Sequence, residues 1–101
     1  MEDVVSFPFT SAVSLQNMEP RLQQAGGLDW QNRTGNKEGF YLRGLTPNGA
    51  KVRLLQGQGT LLAEIHFPIG VGWTRFTDED KTAFVAWVKD LLKSTVAASP
   101  A

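Results

Sequence analysis

The chain has 101 residues, 42% of them hydrophobic, and ten basic side chains balance ten acidic ones for a formal net charge of zero. That length supports one domain with a single core, and the neutral balance removes the basic excess on which phosphate-neutralising nucleic-acid binders rely. The absence of cysteine excludes disulfide scaffolds, thiolate zinc sites and cysteine nucleophiles, and it fits a reducing cytoplasm, the compartment expected here.

Residues 4–9 (VVSFPF) alternate so that Val5, Phe7 and Phe9 share one side of a short strand. Pro8 cannot donate to a ladder, which places this strand at a sheet edge. Residues 14–27 predict a short helix with Asn17 as N-cap, Met18, Leu22 and Ala25 on one face, and Gly26 as its end. Pro20 then falls in the first turn, the part of a helix that tolerates proline. Residues 28–33 read as a second strand and TGNKEG as a polar loop.

Residues 39–67 hold three period-2 runs, GFYLRGLT, AKVRLLQ and TLLAEIHF, joined by PNG and GQG turns. Thr46-Pro47-Asn48-Gly49 suits a three-residue hairpin loop with glycine at the left-handed position. Closing that ladder at Thr46 and Ala50 sets Leu42 opposite Leu54 and Arg43 opposite Arg53. The next loop must be even, because a one-residue slip would put Glu64 on the apolar face. One face then carries Phe40, Leu42, Val52, Leu54, Ala63, Ile65 and Phe67. The other carries the rows Tyr41–Leu55–Leu62, Arg43–Arg53–Glu64 and Leu45–Lys51–His66.

Residues 77–93 predict a long helix capped by Thr77, with Asp78, Glu79 and Asp80 in its first turn. Phe84, Trp87, Val88, Leu91 and Leu92 form its stripe, flanked by Ala83 and Val96. From Ser94 the sequence decays into small residues. The expected organisation is one globular domain over residues 1–97 and a flexible tail over 98–101. The fold class is α+β: an antiparallel meander sheet of about four or five strands, with a short N-terminal helix and a long C-terminal helix packed on one face. The acidic start MEDVV does not read as a secretory signal, and no apolar run approaches the roughly 20 residues that span a bilayer.

The mixed sheet face is the leading candidate site. Two arginines directly opposite each other repel unless an anion sits between or beside them. Glu64 can serve one, and a partner's carboxylate or phosphate the other. Tyr41, Leu45, Leu55 and Leu62 add more apolar surface than a solvated face needs. The expected partner-binding set is Tyr41, Arg43, Lys51, Arg53, Leu55, Leu62, Glu64 and His66. Trp73 and Arg75, residue types enriched at binding hot spots, join it from the glycine-rich loop 68–76.

Catalysis finds little support. His66 is the only histidine, and no serine sits in a nucleophile elbow. Glu64 has no acidic neighbour on its face, and the Asp78-Glu79-Asp80 run is explained by capping. Gly57-Gln58-Gly59 and Gly70-Val71-Gly72 lack the strand-to-helix context of a phosphate loop. No metal or cofactor is expected. The chain is read as a non-enzymatic protein whose partner is another protein, in the manner of immunity proteins, inhibitors and adaptors that neutralise an effector or toxin. A homodimer is also expected, because a neutral chain has little long-range repulsion between copies.

The order strand, strand, strand, long helix from Gly39 onward is similar in outline to Whirly and PUR-type single-strand nucleic-acid binders. That resemblance implies an open sheet face bearing aromatic and basic residues, the positions held here by Tyr41, Arg43, Lys51 and Arg53. Single-stranded nucleic acid is therefore the alternative partner.

Overall fold

The structure is a computed structural model that describes residues 2–69 and 76–101. The strands are β1 (Glu2–Thr10), β2 (Asp29–Gly35), β3 (Gly39–Leu45), β4 (Lys51–Gln56), β5 (Leu61–Pro68) and β6 (Ser99–Pro100). A 3-10 turn (Leu15–Asn17) leads into α1 (Glu19–Ala25), and α2 (Asp78–Val96) precedes β6. All pairings are antiparallel, in the order β2-β3-β4-β5-β1-β6. The class is α+β as expected, with six strands among the described residues where the sequence suggested four or five. Strands β2 to β5 form the meander, and β1 returns to pair along β5.

The central register follows the turn chemistry. Thr46 N–H donates to Ala50 O at 3.0 Å and closes a three-residue loop in which Gly49 takes φ 95°. Leu42 meets Leu54 and Arg43 meets Arg53, as the loop length requires. The second loop is even, with Gln56 opposite Leu61, and it brings Val52 to Ile65 and Arg53 to Glu64. The apolar face is thereby closed over: Leu42, Val52, Leu54, Ala63, Ile65 and Phe67 are each fully buried, and Phe40 is half-buried.

Both helices cover that face. Thr77 and Asp80 form a reciprocal capping box, each side chain accepting the other's backbone N–H at 3.0 Å. Val88, Leu92 and Val96 are the buried stripe of α2, while Phe84 and Leu91 lie at its margin. Trp87 is 40% exposed and stacks on Phe84, so it borders the core where the sequence placed it inside. Met18 and Leu22 of the N-terminal segment are fully buried. Ala25, grouped with them from the sequence, is exposed.

The ends of three elements differ from expectation. Asn17 does not cap α1: its side chain donates to Ser14 Oγ at 2.8 Å within the 3-10 turn, and Met18 is the N-cap. Strand β2 starts one residue later than predicted and runs on to Gly35, because a three-residue turn joins it to Gly39. Helix α2 continues to Val96, whose burial outweighs the weak helix preference of Ser94 and Thr95. Ala97 then turns left-handed at φ 54°, and Ser99 and Pro100 pair with Thr10 and Phe9.

Candidate functional site

The face away from the helices holds three rows that cross five strands. The registers give Val4–His66–Lys51–Leu45–Asp29, Ser6–Glu64–Arg53–Arg43–Gln31 and Pro8–Leu62–Leu55–Tyr41–Arg33. The predicted residues Tyr41, Arg43, Lys51, Arg53, Leu55, Leu62, Glu64 and His66 are all brought together here. Trp73 and Arg75 lie outside the described residues.

The two facing arginines have different surroundings. Arg53 stands between two carboxylates, with Nε 3.8 Å from Glu64 Oε1 and a terminal nitrogen 3.9 Å from Glu38 Oε1. Its guanidinium lies over the Tyr41 ring, 4.8 Å from the centroid, a cation–π placement. Arg43 meets no carboxylate among the described residues; it donates to the neutral Gln31 Oε1 at 3.3 Å. Arg33 donates to the same oxygen at 2.7 Å. Among the described residues, the Nε atoms of both Arg43 and Arg53 are buried without a hydrogen-bond partner.

Glu64 is shared. His66 Nε2 lies 3.3 Å from the Glu64 Oε1 that also faces Arg53. The β4–β5 end of the middle row is therefore balanced within the chain. At the β2–β3 end, Arg33 and Arg43 share one uncharged acceptor.

Apolar side chains frame the charges. Leu55 is only 8% exposed, enclosed on its face by half-buried Tyr41 and Leu62. His66 is buried at 9%. These two are less open than a solvated face implies, whereas Leu45 and Val4 in the outer row are 36% and 48% exposed. Half-buried Lys51 lies between Leu45 and His66.

Gln31, Arg33 and Glu38 complete the site and were not singled out from the sequence. The signal was present in the odd-length turn at residues 36–38, which registers β2 on β3 by the same rule that registers β3 on β4. Among the described residues, no group of three His, Asp or Glu side chains converges as a metal site, and no helix is long and apolar enough to cross a membrane. No known protein family matches the chain, and no curated protein sequence is significantly similar to it.

Proposed function

We propose that this chain is a non-enzymatic binding protein that engages another protein through its open sheet face. The observation that carries the reading is Arg43 and Arg33 sharing a neutral acceptor while Glu38 and Glu64 attend Arg53. A partner that presents a carboxylate at this end, with an apolar side chain against Tyr41 and Leu45, meets charge and surface already in place. Paired hydrogen bonds from arginine to carboxylate are strong and directional. An immunity protein, inhibitor or adaptor acting in the cytoplasm on an effector or toxin fits this chemistry.

The test is capture of the native partner from the source organism by wild type, Arg43→Glu and Arg21→Glu. Arg21 lies on α1, away from the face, and its reversal is expected to leave capture intact. Arg43→Glu is expected to abolish it. Equal capture by all three proteins refutes the assignment of the face.

Single-stranded nucleic acid is the second reading, favoured by the mixture of Tyr41 with Arg43, Lys51 and Arg53. Against it, the Arg53 guanidinium already covers a face of the Tyr41 ring, where a base would stack. Oligonucleotide binding that falls steeply with salt would reverse the order of the two readings.

A further inference from the structure

We infer that the outer edge of β2 is the docking edge for the partner, and that the partner docks as an extended acidic strand. The inference rests on the open face being a protein-binding surface, and it specifies how the partner's backbone approaches.

The two margins of the sheet are built differently. On the β1 side, Pro8 removes a donor and β6 pairs with Phe9 and Thr10. On the β2 side, the direction of each amide can be worked out. Trp30 N–H donates to Gln23 Oε1 of α1 at 2.9 Å, so it points away from β3. In an antiparallel ladder the inward and outward amides alternate, so those of Asn32 and Thr34 also point outward. The three-residue turn gives the same phase, because it makes Gly35 and Gly39 the closing pair. Among the described residues, neither outward amide has an acceptor. Asn32 and Thr34 are exposed, and β2 has no proline or lysine to discourage pairing.

Gln23 thus closes the edge at Trp30 and leaves Asn32 and Thr34 for a partner's backbone. Each neighbouring residue of an added strand would project onto the open face, beside Gln31 and Arg33. Those are the positions where, among the described residues, the arginines form no ion pair, Asp29 standing apart at the other end of β2. On the helix side, the Glu19 carboxylate accepts from Asn32 Nδ2 at 3.2 Å and disfavours a further acid there. The complementary segment alternates acidic and apolar residues. Main-chain pairing supplies affinity and the alternate side chains supply selectivity.

The probe is a synthetic fluorescent peptide of alternating Glu and Val, followed by anisotropy against the full chain. A matching Lys-Val peptide, an oligothymidylate and a Glu-Val peptide N-methylated at alternate amides complete the set. The Glu-Val peptide is expected to bind, to lose about tenfold in affinity with Arg33→Glu or Arg43→Glu, and to lose at least as much on N-methylation. Amide exchange read by NMR is expected to be fast at Asn32 and Thr34 in the free protein and slowed by the peptide. Binding that N-methylation does not weaken overturns the edge while leaving the arginine face standing. Equal binding of the Lys-Val peptide, tighter binding of the oligothymidylate, or no peptide binding overturns the inference. Partner capture by the Arg43→Glu variant reports separately on the face.

Discussion

Charge reversal at the two facing arginines should have opposite consequences for the fold. Arg53→Glu places a third carboxylate between Glu64 and Glu38, whose oxygens lie 3.8 and 3.9 Å from the present guanidinium. At about 4 Å, two like charges repel by about 1 kcal/mol in water and about 4 kcal/mol at an effective dielectric of about 20. The Arg53 side chain is 21% exposed and its carboxylates 26% and 34%, so the lower half of that range applies to each pair. Loss of the contact with Tyr41 adds about 0.5–1 kcal/mol. A glutamate is short enough to turn partly aside, which brings the expected destabilisation to about 2–4 kcal/mol. Arg43→Glu instead replaces a facing like-charge pair with an attractive one beside Arg53 and Arg33, and its stability should equal or exceed wild type by about 0.2–1 kcal/mol.

Urea unfolding followed by tryptophan fluorescence measures both variants. Repeating it at high salt should shrink the Arg53→Glu deficit, because screening weakens the repulsion of partly exposed charges. An Arg53→Glu midpoint equal to wild type, or an Arg43→Glu protein just as destabilised, would refute the charge asymmetry of the face. Arg43 is for this reason the cleaner probe of the proposed binding: its reversal removes the proposed anchor without destabilising its neighbours.

Ile65→Ala should cost about 2–5 kcal/mol in a denaturant melt, since Ile65 is fully buried, whereas half-buried Leu91→Ala should cost distinctly less. Thr77→Ala removes one half of the capping box and should lower stability by about 1 kcal/mol in the same assay. Lys81 donates to Asp3 Oδ2 at 2.7 Å, and this bond, with Asp78 nearby and burial opposing, raises its pKa above the ordinary 10.5. A raised folded pKa gives stability that is complete below pH 10.5 and lost as pH climbs through the folded value, so Lys81→Met should flatten the alkaline fall in thermal melts. Sedimentation should detect a homodimer at high micromolar concentration, and a strict monomer there would remove the expectation of self-association drawn from the neutral net charge.

The register of β3, β4 and β5 was legible because two local rules set it. Pro47-Asn48-Gly49 dictates an odd loop, and keeping Glu64 off the apolar face dictates an even one. Those rules put Arg43 beside Arg53 without knowledge of any other strand. They do not reach β1, whose pairing with β5 joins segments far apart in the chain. Gln31, Arg33 and Glu38 join the site only once β2 is registered against β3. That Glu64 would side with Arg53 rather than Arg43 follows from β4 lying between β3 and β5. The extension of α2 was not legible, since Ser94 and Thr95 favour ending a helix and only the packed core reveals what Val96 gains by staying in it.

The same accounting explains why one sheet face is covered by the chain's own helices and the other is not. Helices α1 and α2 meet a surface of Leu, Val, Ile and Phe, which leaves water at no polar cost. A third helix laid on the opposite face would strip water from Arg43 and Arg33, whose shared acceptor among the described residues is neutral, and burial of unpaired charge costs several kcal/mol per group. The β4–β5 end is different. Glu64 faces Arg53 there and lies 3.3 Å from His66 Nε2, and Leu55 and Leu62 are already partly enclosed. A covering surface can therefore be apolar at that end and must carry carboxylate at the other. On the proposed reading, that requirement favours a partner with an acidic rim beside an apolar patch over a purely hydrophobic one.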